Sequence, residues 1–216
     1  MAQTRREIQA LLASAGIRPL KRFGQNFLID ANLLGKLVCA ADVQPGDVVL
    51  EVGPGTGVLT ERLLEASAGV IAVEIDRGMQ AICRERFGGN PHFTLISGDI
   101  LAGKHQISPE VLALLAEREP APGRRRMMVA NLPYQVATPL IVELLMGELA
   151  ISPLCFTVQA EVADRLLAEP GSKDYGPISV FAQVLADGER IARVPPEAFW
   201  PSPTVNSAMV RLDRRA

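Results

Sequence analysis

Cysteine and histidine are scarce in this sequence, and neither forms a pattern that would hold a metal ion or a disulfide framework. The three cysteines, Cys39, Cys83 and Cys155, are odd in number, far apart and without CxxC spacing. This argues against a zinc site or a set of disulfides and favours buried free thiols in a reducing compartment. The two histidines, His92 and His105, lie near no candidate motif. We therefore expect no metal site.

Long apolar runs and a large net charge are also lacking. No uninterrupted apolar run approaches the roughly 20 residues that a membrane-spanning helix needs. The first residues, MAQTRREIQALLASAGI, carry Glu7 and Gln9 where a secretion signal would need an apolar centre, so they predict a short amphipathic helix. The formal net charge is −2, whereas a nucleic-acid binder often has a strong excess of basic residues. We expect a cytoplasmic, monomeric protein that does not contact a membrane.

Basic residues are nevertheless unevenly distributed. The segments TRREIQ, RPLKRF and GRRR each concentrate arginine or lysine within a few positions. Local clusters matter more than the total charge when one groove must meet phosphates. We therefore keep the hypothesis that Arg124, Arg125 and Arg126 contact the phosphates of a nucleic acid.

The sequence does contain a regular alternation of short apolar runs and segments with helical spacing. Valine-rich apolar runs predict buried strands at 47–52, 70–75, 93–100, 126–132 and 154–159, with further strand candidates around 178–194 and at 207–212. Apolar residues at helical spacing predict helices at 57–66, 79–87, 137–149 and 160–168. In the third of these helices, Pro139 is expected in the first turn, where proline is tolerated. The alternation predicts an α/β fold with a mostly parallel sheet and helices on both faces.

Two stretches interrupt this alternation. Residues 102–126 include a helical segment, SPEVLALLAERE, followed by PAPGRRR, and are interpreted as an insertion or an enlarged crossover before the fourth strand. Residues 169–177, EPGSKDYGP, are rich in turn-forming residues and predict a mobile loop. The sequence has 216 residues, and we expect one domain that covers 1–216.

A glycine-rich turn, EVGPGTG, follows the first predicted strand and precedes the first predicted helix of the alternation. Gly53, Gly55 and Gly57 allow tight backbone turns and the close approach of a ligand, and the helix beyond offers free N–H groups. Dinucleotides place a pyrophosphate at such a turn, with GxGxxG spacing. S-adenosylmethionine places its amino-acid end there instead. The spacing GxGxG leaves both ligands open, as it does a purely structural turn.

Two acidic residues at predicted strand ends favour a bound cofactor over a purely structural turn. Glu74 follows Gly53 by 21 positions and closes the second strand, where a carboxylate can accept hydrogen bonds from both ribose hydroxyls of either cofactor. Asp99 ends the third strand and can accept from the exocyclic amine of adenine. The alternative role for both is helix capping, and we assign that role to Asp76. Carboxyl ends of adjacent strands are where open α/β sheets bind ligands.

The fourth predicted strand runs into the segment MVANLPY. This segment places an amide, a proline and an aromatic ring at the end of a buried strand, where they contribute little to packing. The Asn131 side-chain oxygen and a carbonyl of the segment Leu132 and Pro133 can accept hydrogen bonds from an adenine amine, which is otherwise a poor nucleophile. Tyr134 can stack on the base, a contact worth about 1–3 kcal/mol. Positioning supplies most of the rate when two reactants are held in line, and the target base must be unstacked or flipped to enter.

Together, the motifs resemble the KsgA family of ribosomal small-subunit RNA adenine N6,N6-dimethyltransferases. The matching segments are KRFGQNFLID, EVGPGTGVLT, VEID, GDIL, NLPY and FWPSPTVNSAMVRL, which extend from Lys21 to Leu212. The resemblance implies a Rossmann-like class I methyltransferase fold with a seven-stranded, mostly parallel sheet. It implies S-adenosylmethionine as donor, S-adenosylhomocysteine as product, and two adjacent adenosines in the 3′-terminal hairpin of small-subunit rRNA as acceptors within the immature subunit.

The resemblance also implies roles for particular residues. The cofactor-binding positions are Gln25, Asn26, Leu28, Gly53, Gly55, Glu74, Ile75, Asp99, Ile100 and Asn131. The catalytic positions are Asn131, Leu132, Pro133, Tyr134 and Phe199. Phe199 would enclose the target adenine together with Tyr134, and Trp200 beside it departs from the family pattern. The N-terminal helical segment, 1–45, would contribute to the cofactor site.

Family members usually carry a small helical domain after the VRL strand, and we expect this chain to lack it. Three other functions remain open. One is an enzyme that methylates adenosine N6 in large-subunit rRNA, and another is a non-catalytic RNA-binding ribosome assembly factor. The third is a nicotinamide-dependent oxidoreductase, which would leave NLPY unexplained.

Overall fold

The computed structural model describes residues 3–19, 24–66 and 69–215. Its strands are β1 (Phe27–Leu28), β2 (Val48–Val52), β3 (Gly69–Glu74), β4 (Phe93–Ser97), β5 (Leu101–Gly103), β6 (Gln106–Ile107), β7 (Arg126–Asn131), β8 (Leu154–Gln159), β9 (Ala186–Val194), β10 (Phe199–Trp200) and β11 (Ser207–Arg214). Its helices are α1 (Arg5–Ser14), α2 (Ala31–Ala41), α3 (Val58–Glu65), α4 (Arg77–Phe87), α5 (Pro109–Glu117), α6 (Tyr134–Met146), α7 (Ala160–Leu166) and α8 (Pro177–Leu185).

The central element is a seven-stranded sheet in the order β4-β3-β2-β7-β8-β11-β9. Strands β4, β3, β2, β7 and β8 run parallel to one another, whereas β11 is antiparallel to both of its neighbours. The parallel strands are joined by helical crossovers, as parallel pairing requires. Consequently the carboxyl ends of β2, β3, β4 and β7 meet at one edge of the sheet.

Both faces of the central strands are buried, which explains why β2, β3, β7 and β8 are almost continuously apolar. Successive side chains of a strand point to opposite faces, so Val48, Leu50 and Val52 of β2 join the core under α5, α6, α7 and α8. Val49 joins the second core, which α2 and α3 cover. The same alternation places Glu51 on the α3 side of the sheet.

A two-stranded ribbon lies beside the sheet and joins distant parts of the chain. Strand β1 pairs antiparallel with β10, with Phe27 opposite Trp200 and Leu28 opposite Phe199. Phe27 belongs to a third apolar cluster with residues of α1 and α4, against which Trp200 packs. The segment before α2 is thereby attached to the segment before β11.

The predicted α/β architecture, with a mostly parallel seven-stranded sheet and helices on both faces, is confirmed. The strand predicted around 178–194 is half wrong, because residues 177–185 form α8 and only 186–194 form β9. An apolar run beginning at proline satisfies a helix as well as a strand, and periodicity over so few residues does not separate the two. Pro139 is also misplaced, since α6 begins at Tyr134 and the proline lies in its interior.

Residues 102–126 are the crossover between β4 and β7 rather than an added unit. They form part of the β5–β6 hairpin and helix α5, and α5 buries Val111 and Leu115 in the core. Residues 169–177 contain a run of turns and lead into α8. Cys83 and Cys155 are buried free thiols as expected, whereas Cys39 is exposed.

The arginine cluster lies at the amino ends of the parallel strands, at the edge of the sheet opposite the carboxyl ends of β2, β3 and β7. Arg126 begins β7, at the amino ends of the parallel strands, and its Nε donates to the Leu115 carbonyl at 2.8 Å. Arg125 donates to the Asp42 carbonyl at 2.7 Å and its backbone N–H to Asp47 at 2.9 Å. These two arginines bond to groups of the fold, whereas Arg124 is exposed. The hypothesis that the cluster contacts the phosphates of a nucleic acid stays a prediction.

Two classes of feature are not found within the described ranges. None of the described helices is both long and apolar enough to cross a bilayer. The same residues contain no group of three or more histidine, cysteine, aspartate or glutamate side chains that could hold a metal ion. Residues 20–23, which include the first part of the KRFGQNFLID motif, lie outside the described residues.

Candidate active site

A cavity of about 260 Å³ opens at the carboxyl ends of β2, β3 and β7. It is lined by every residue that was assigned to the site from the sequence: Gln25, Asn26, Leu28, Gly53, Gly55, Glu74, Ile75, Asp99, Ile100, Asn131, Leu132, Pro133, Tyr134 and Phe199. The structure therefore brings together side chains that are up to 174 positions apart in the sequence. Their individual roles stay predictions.

The glycine turn forms the floor of this cavity in a backbone conformation that favours glycine. Gly53, Gly55 and Gly57 have φ values of 70°, 58° and 82°, in the left-handed region where a side chain would be strained. A Cβ atom on Gly55 would also lie 2.9 Å from the Phe27 ring. The turn thus keeps the backbone close to the space in which a ligand would lie.

One polar atom in the turn is buried without a partner. The Thr56 hydroxyl makes no hydrogen bond within the described structure, although the residue is only 1% exposed. Thr56 lines the cavity, and leaving a buried hydroxyl unsatisfied is costly. Because this oxygen is itself covered by protein atoms, the fit of the turn to a polar cofactor rests on its closely approaching backbone and not on this hydroxyl.

Glu74 links the turn to the next strand. Its carboxylate accepts hydrogen bonds from the Gly55 N–H at 3.1 Å and from the Asp76 N–H at 2.9 Å. Burial raises the pKa of this carboxyl, and the two backbone hydrogen bonds oppose the rise. Asp76, as expected, caps α4 by accepting from the Gly78 and Met79 N–H groups. The ends of β3 and α4 therefore hold Glu74 against the turn.

Asp99 stands further from its strand than the sequence indicated. Strand β4 ends at Ser97, so Asp99 is two residues beyond it, and its Oδ1 accepts from the Leu101 N–H at 3.0 Å. The residue is exposed at the cavity mouth, and Ile100 beside it is buried. A carboxylate with one oxygen held by the backbone can still accept from a ligand with the other.

Asn131 closes the cavity from the end of β7. Its Nδ2 donates to the Asn26 carbonyl at 2.9 Å, which orients the amide so that its oxygen can accept a hydrogen bond. Pro133 precedes α6 and contacts the turn closely, since a Cβ atom on Gly53 would lie 3.2 Å from its ring. The backbone leaves β7, passes over the glycine turn and enters α6 within a few residues.

Two aromatic rings line the same cavity from different elements. Tyr134 begins α6, and its hydroxyl shares a 2.6 Å hydrogen bond with the Ser207 hydroxyl of β11. Phe199 is 3% exposed and packs in the core beneath α2 as well as lining the cavity. Trp200 stacks on Phe27, with ring centroids 6.4 Å apart, and lines no part of this cavity.

The segment before α2 completes the wall. The Gln25 side chain donates to Asp76 at 3.1 Å, and the Asn26 side chain donates to the Gly24 carbonyl at 3.1 Å. Leu28 is held by the pairing of β1 with β10. Tertiary contacts, rather than proximity in sequence, place these residues beside the glycine turn.

An acidic residue of the cavity was not identified from the sequence. Glu51 precedes the glycine turn on β2, is 1% exposed, and its carboxylate accepts from the Thr60 hydroxyl of α3 at 2.6 Å. Burial raises the pKa of this carboxyl to about 8, and the nearby Glu74 adds to the rise. The available signal was an acidic residue inside an otherwise apolar strand, DVVLEV.

Comparison with known proteins identifies the family. Residues 18–216 match the model of the family described as "Ribosomal RNA adenine dimethylase". A protein of Alkaliphilus oremlandii named "Ribosomal RNA small subunit methyltransferase A" is 41% identical over 193 residues, which are 89% of this chain and 64% of that protein. The chain thus spans less than two thirds of the length of this relative.

Solved structures agree with this family and fold. A dimethyladenosine transferase from Plasmodium falciparum superposes with a TM-score of 0.73 and 27% identity, covering 86% of this chain and 62% of the other. The 23S rRNA methyltransferase ErmE superposes with a TM-score of 0.71 and 26% identity, covering 88% and 70%. The predicted class I methyltransferase fold and the family resemblance are confirmed, and the chain belongs to the ribosomal RNA adenine dimethylase family.

Proposed function

We propose that this chain is an S-adenosylmethionine-dependent methyltransferase domain that acts on adenosine N6 in small-subunit rRNA, with the two adjacent adenosines of the 3′-terminal hairpin as its targets. The observation that carries the proposal is Asn131, an amide oriented by Asn26 in a cavity that Tyr134 and Phe199 also line. An oriented acceptor between aromatic rings is suited to a flat base that bears an amine.

The residues present fit S-adenosylmethionine, which supplies an activated methyl group when bound. The glycine turn offers backbone at close range. Glu74 is the candidate acceptor for ribose hydroxyls, and Asp99 for the exocyclic amine of the cofactor adenine. Ile75 and Ile100 flank the space between these two carboxylates, where an apolar adenine face would be covered.

Asn131 and the following backbone would act on the target amine. The lone pair of an adenine amine is delocalised into the ring, which makes the nitrogen a weak nucleophile. Acceptance of its N–H groups by the Asn131 oxygen and a carbonyl of Leu132 or Pro133 would hold the nitrogen in the geometry for attack. Correct alignment of two reactants supplies about 7–11 kcal/mol of a barrier, so positioning is the main contribution that we assign to these residues.

Tyr134 and Phe199 would hold the base itself. Stacking on an aromatic side chain contributes about 1–3 kcal/mol per base, which offsets part of the cost of flipping the nucleotide out of its stack. The Tyr134 hydroxyl is held by Ser207 and the Phe199 ring by the core. Both rings are therefore fixed before the substrate arrives, and little ordering entropy is lost on binding.

The choice of small-subunit rRNA rests on the relatives. The curated relatives with 40–43% identity carry the name "Ribosomal RNA small subunit methyltransferase A". The likeness to ErmE, a 23S rRNA methyltransferase, keeps large-subunit rRNA as the alternative that an experiment must exclude. Immature small subunits are accordingly the proposed partner.

The test is transfer of radiolabelled methyl groups to small subunits and, separately, to large-subunit rRNA, both lacking adenine methylation. We expect label in the small subunits, and nucleoside analysis should recover it as dimethyladenosine. Primer extension should place the modification at two adjacent adenosines. Label confined to large-subunit rRNA would contradict the choice of substrate. S-adenosylmethionine binding without label in either RNA would instead favour the non-catalytic assembly factor.

A further inference from the structure

The cavity is lined by acidic side chains and by no basic ones among the described residues. Glu51, Glu74 and Asp99 line it, and no arginine, lysine or histidine of the described ranges does so. Two of these carboxyl groups are nearly inaccessible to water, with Glu51 at 1% and Glu74 at 5% exposure. A cavity of this kind favours a cation over a neutral ligand of the same shape, because the interaction is little screened.

The negative charge of an ionised Glu51 is stabilised less by the surrounding protein than that of Glu74. Glu74 accepts from the backbone N–H groups of Gly55 and Asp76. Glu51 is hydrogen-bonded by Thr60, through its hydroxyl at 2.6 Å and its backbone, and both bonds lower the pKa less than burial raises it. Hydrogen bonds from this one neutral residue do not offset the desolvation of a buried carboxylate. The protonated form of Glu51 is consequently stabilised, and its pKa is raised to about 8.

The groups around Glu51 do not supply a compensating charge. From β3, Glu74 adds negative charge, and from α4 the Cys83 thiol donates to the Gly55 carbonyl at 3.4 Å. Burial and both glutamates raise the pKa of Cys83 far above its ordinary value, so the thiol stays neutral. Arg86 of α4 donates to the Thr56 carbonyl and pairs with Glu61 of α3, so its charge is engaged by other groups.

The donor and the product of the proposed reaction differ by one charge. S-adenosylmethionine has a sulfonium, an ammonium and a carboxylate, for a net charge of plus one. S-adenosylhomocysteine has a neutral thioether in place of the sulfonium and no net charge. A carboxylate in the wall of the cavity would therefore distinguish the two ligands, and a protonated carboxyl would not.

Resting on the function proposed above, we propose that Glu51 is a specificity-determining residue that loses its proton when the cationic donor binds and keeps it when the neutral product is bound. On donor binding the carboxyl O–H bond breaks, the proton passes to the buffer, and a carboxylate remains opposite the cation. After methyl transfer the sulfonium charge is gone, and Glu51 takes up a proton again. Product release is thereby favoured over donor release.

Isothermal titration calorimetry in buffers of different ionisation enthalpy tests this directly, because it counts protons released on binding. At pH 7 we expect S-adenosylmethionine to release about one proton per site and S-adenosylhomocysteine much less, since a group with a raised pKa is mostly protonated there. S-adenosylmethionine affinity should rise about three- to tenfold from pH 6 to pH 7. This comparison uses the wild-type chain and needs no variant.

The Glu51→Gln variant assigns the proton to this residue, with the exposed Glu85→Gln as matched control. The donor-specific proton release should disappear in Glu51→Gln and persist in Glu85→Gln, while any contribution from the α-amino group of the ligand is the same in both. Equal proton release by donor and product in the wild type, or an unchanged difference in Glu51→Gln, would overturn the inference and leave the proposed function intact. No binding of either ligand would overturn the proposed function itself.

Discussion

At the scale of single residues, the polar side chains of the cavity are held by the fold before any ligand arrives. Asn131 donates to Asn26, Glu74 accepts from the glycine turn, and Tyr134 shares a hydrogen bond with Ser207. Catalytic groups must stay within about 0.5 Å of their working geometry. Each of these bonds removes a rotation that the side chain would otherwise have to lose on binding substrate.

Asn131→Ala should strongly reduce turnover while preserving cofactor binding. The variant removes the oriented acceptor, and loss of one preorganised polar contact to a reacting group costs about 10²–10³ in turnover. Methyl transfer in single-turnover assays should fall by this factor, and the dissociation constant of S-adenosylmethionine should change less than about threefold. The exposed Asn32→Ala on α2 is the control. Wild-type turnover in Asn131→Ala would remove the amine-holding role.

Glu51→Gln should change how stability depends on pH. The folded-state pKa of Glu51, about 8, lies above its ordinary value of 4.5, so the native state binds an extra proton between these values. The free energy of unfolding contributed by this group is full below pH 4.5 and falls as the pH rises toward 8, by up to about 1.4 kcal/mol per pH unit. Relative to wild type, Glu51→Gln should gain stability steadily over this range. Urea unfolding at pH 5, 6, 7 and 8 measures the difference, and parallel curves would contradict the assignment.

At the scale of elements, the site depends on how short segments meet. The glycine turn between β2 and α3, the ribbon of β1 with β10, and the junction of β7 with α6 each contribute one wall. None of these junctions is long, so each wall is anchored on both sides by a packed strand or helix. Sites built on such elements are more precisely positioned than sites on free loops.

Comparison of Gly55→Ala with Gly123→Ala should separate the effect of backbone strain from the effect of a Cβ atom that crowds the glycine turn. Both Gly55 and Gly123 have positive φ, so alanine at either costs about 1–2 kcal/mol in stability. Only at Gly55 does the added Cβ meet a neighbour, the Phe27 ring at 2.9 Å, whereas Gly123 has nothing within 4 Å. We expect Gly55→Ala to weaken S-adenosylmethionine binding by at least about tenfold and Gly123→Ala to leave the dissociation constant unchanged. Similar constants for the two would show that the turn does not approach the ligand.

Ser207→Ala tests whether β11 positions the ring at the start of α6. Removal of the hydroxyl frees Tyr134 from its 2.6 Å bond, which should raise KM for RNA several-fold through a less ordered ring, with little change in cofactor binding. Ser207→Thr retains a hydroxyl and should rescue KM, a result that a merely structural role would not produce. Ser172→Ala, in an exposed turn, is the control. An unchanged KM in Ser207→Ala would exclude the positioning role.

At the scale of the whole molecule, the sheet creates one edge on which the chemistry is collected. Parallel strands place all their carboxyl ends together, and open α/β sheets bind ligands there. The opposite edge carries Arg125 and Arg126, which bond to carbonyl and carboxylate groups of the fold. The candidate site thus lies at one edge of the sheet, and at the opposite edge arginine side chains bond to backbone groups of the fold.

Ligand-dependent heat stability distinguishes the cofactor classes for the molecule as a whole. A ligand at 100 times its dissociation constant stabilises the native state by about 2.7 kcal/mol, which for a domain of this size raises Tm by roughly 5–10 °C. We expect this shift with S-adenosylmethionine and no shift with NAD at the same concentration. Protection by NAD alone would revive the oxidoreductase reading of the glycine turn.

The sequence by itself determined the alternation of strands and helices, the glycine turn and a set of residues that the fold brings to one cavity, because these depend on local periodicity and short motifs. It misassigned residues 177–185, since a short apolar run fits either a helix or a strand until its neighbours are known. Only the tertiary structure decided that Glu51 faces the cavity, that Asn26 orients Asn131, and that the arginine cluster lies at the far edge. Those facts depend on which face of a strand is covered and on contacts between residues up to 105 positions apart, which no local pattern encodes.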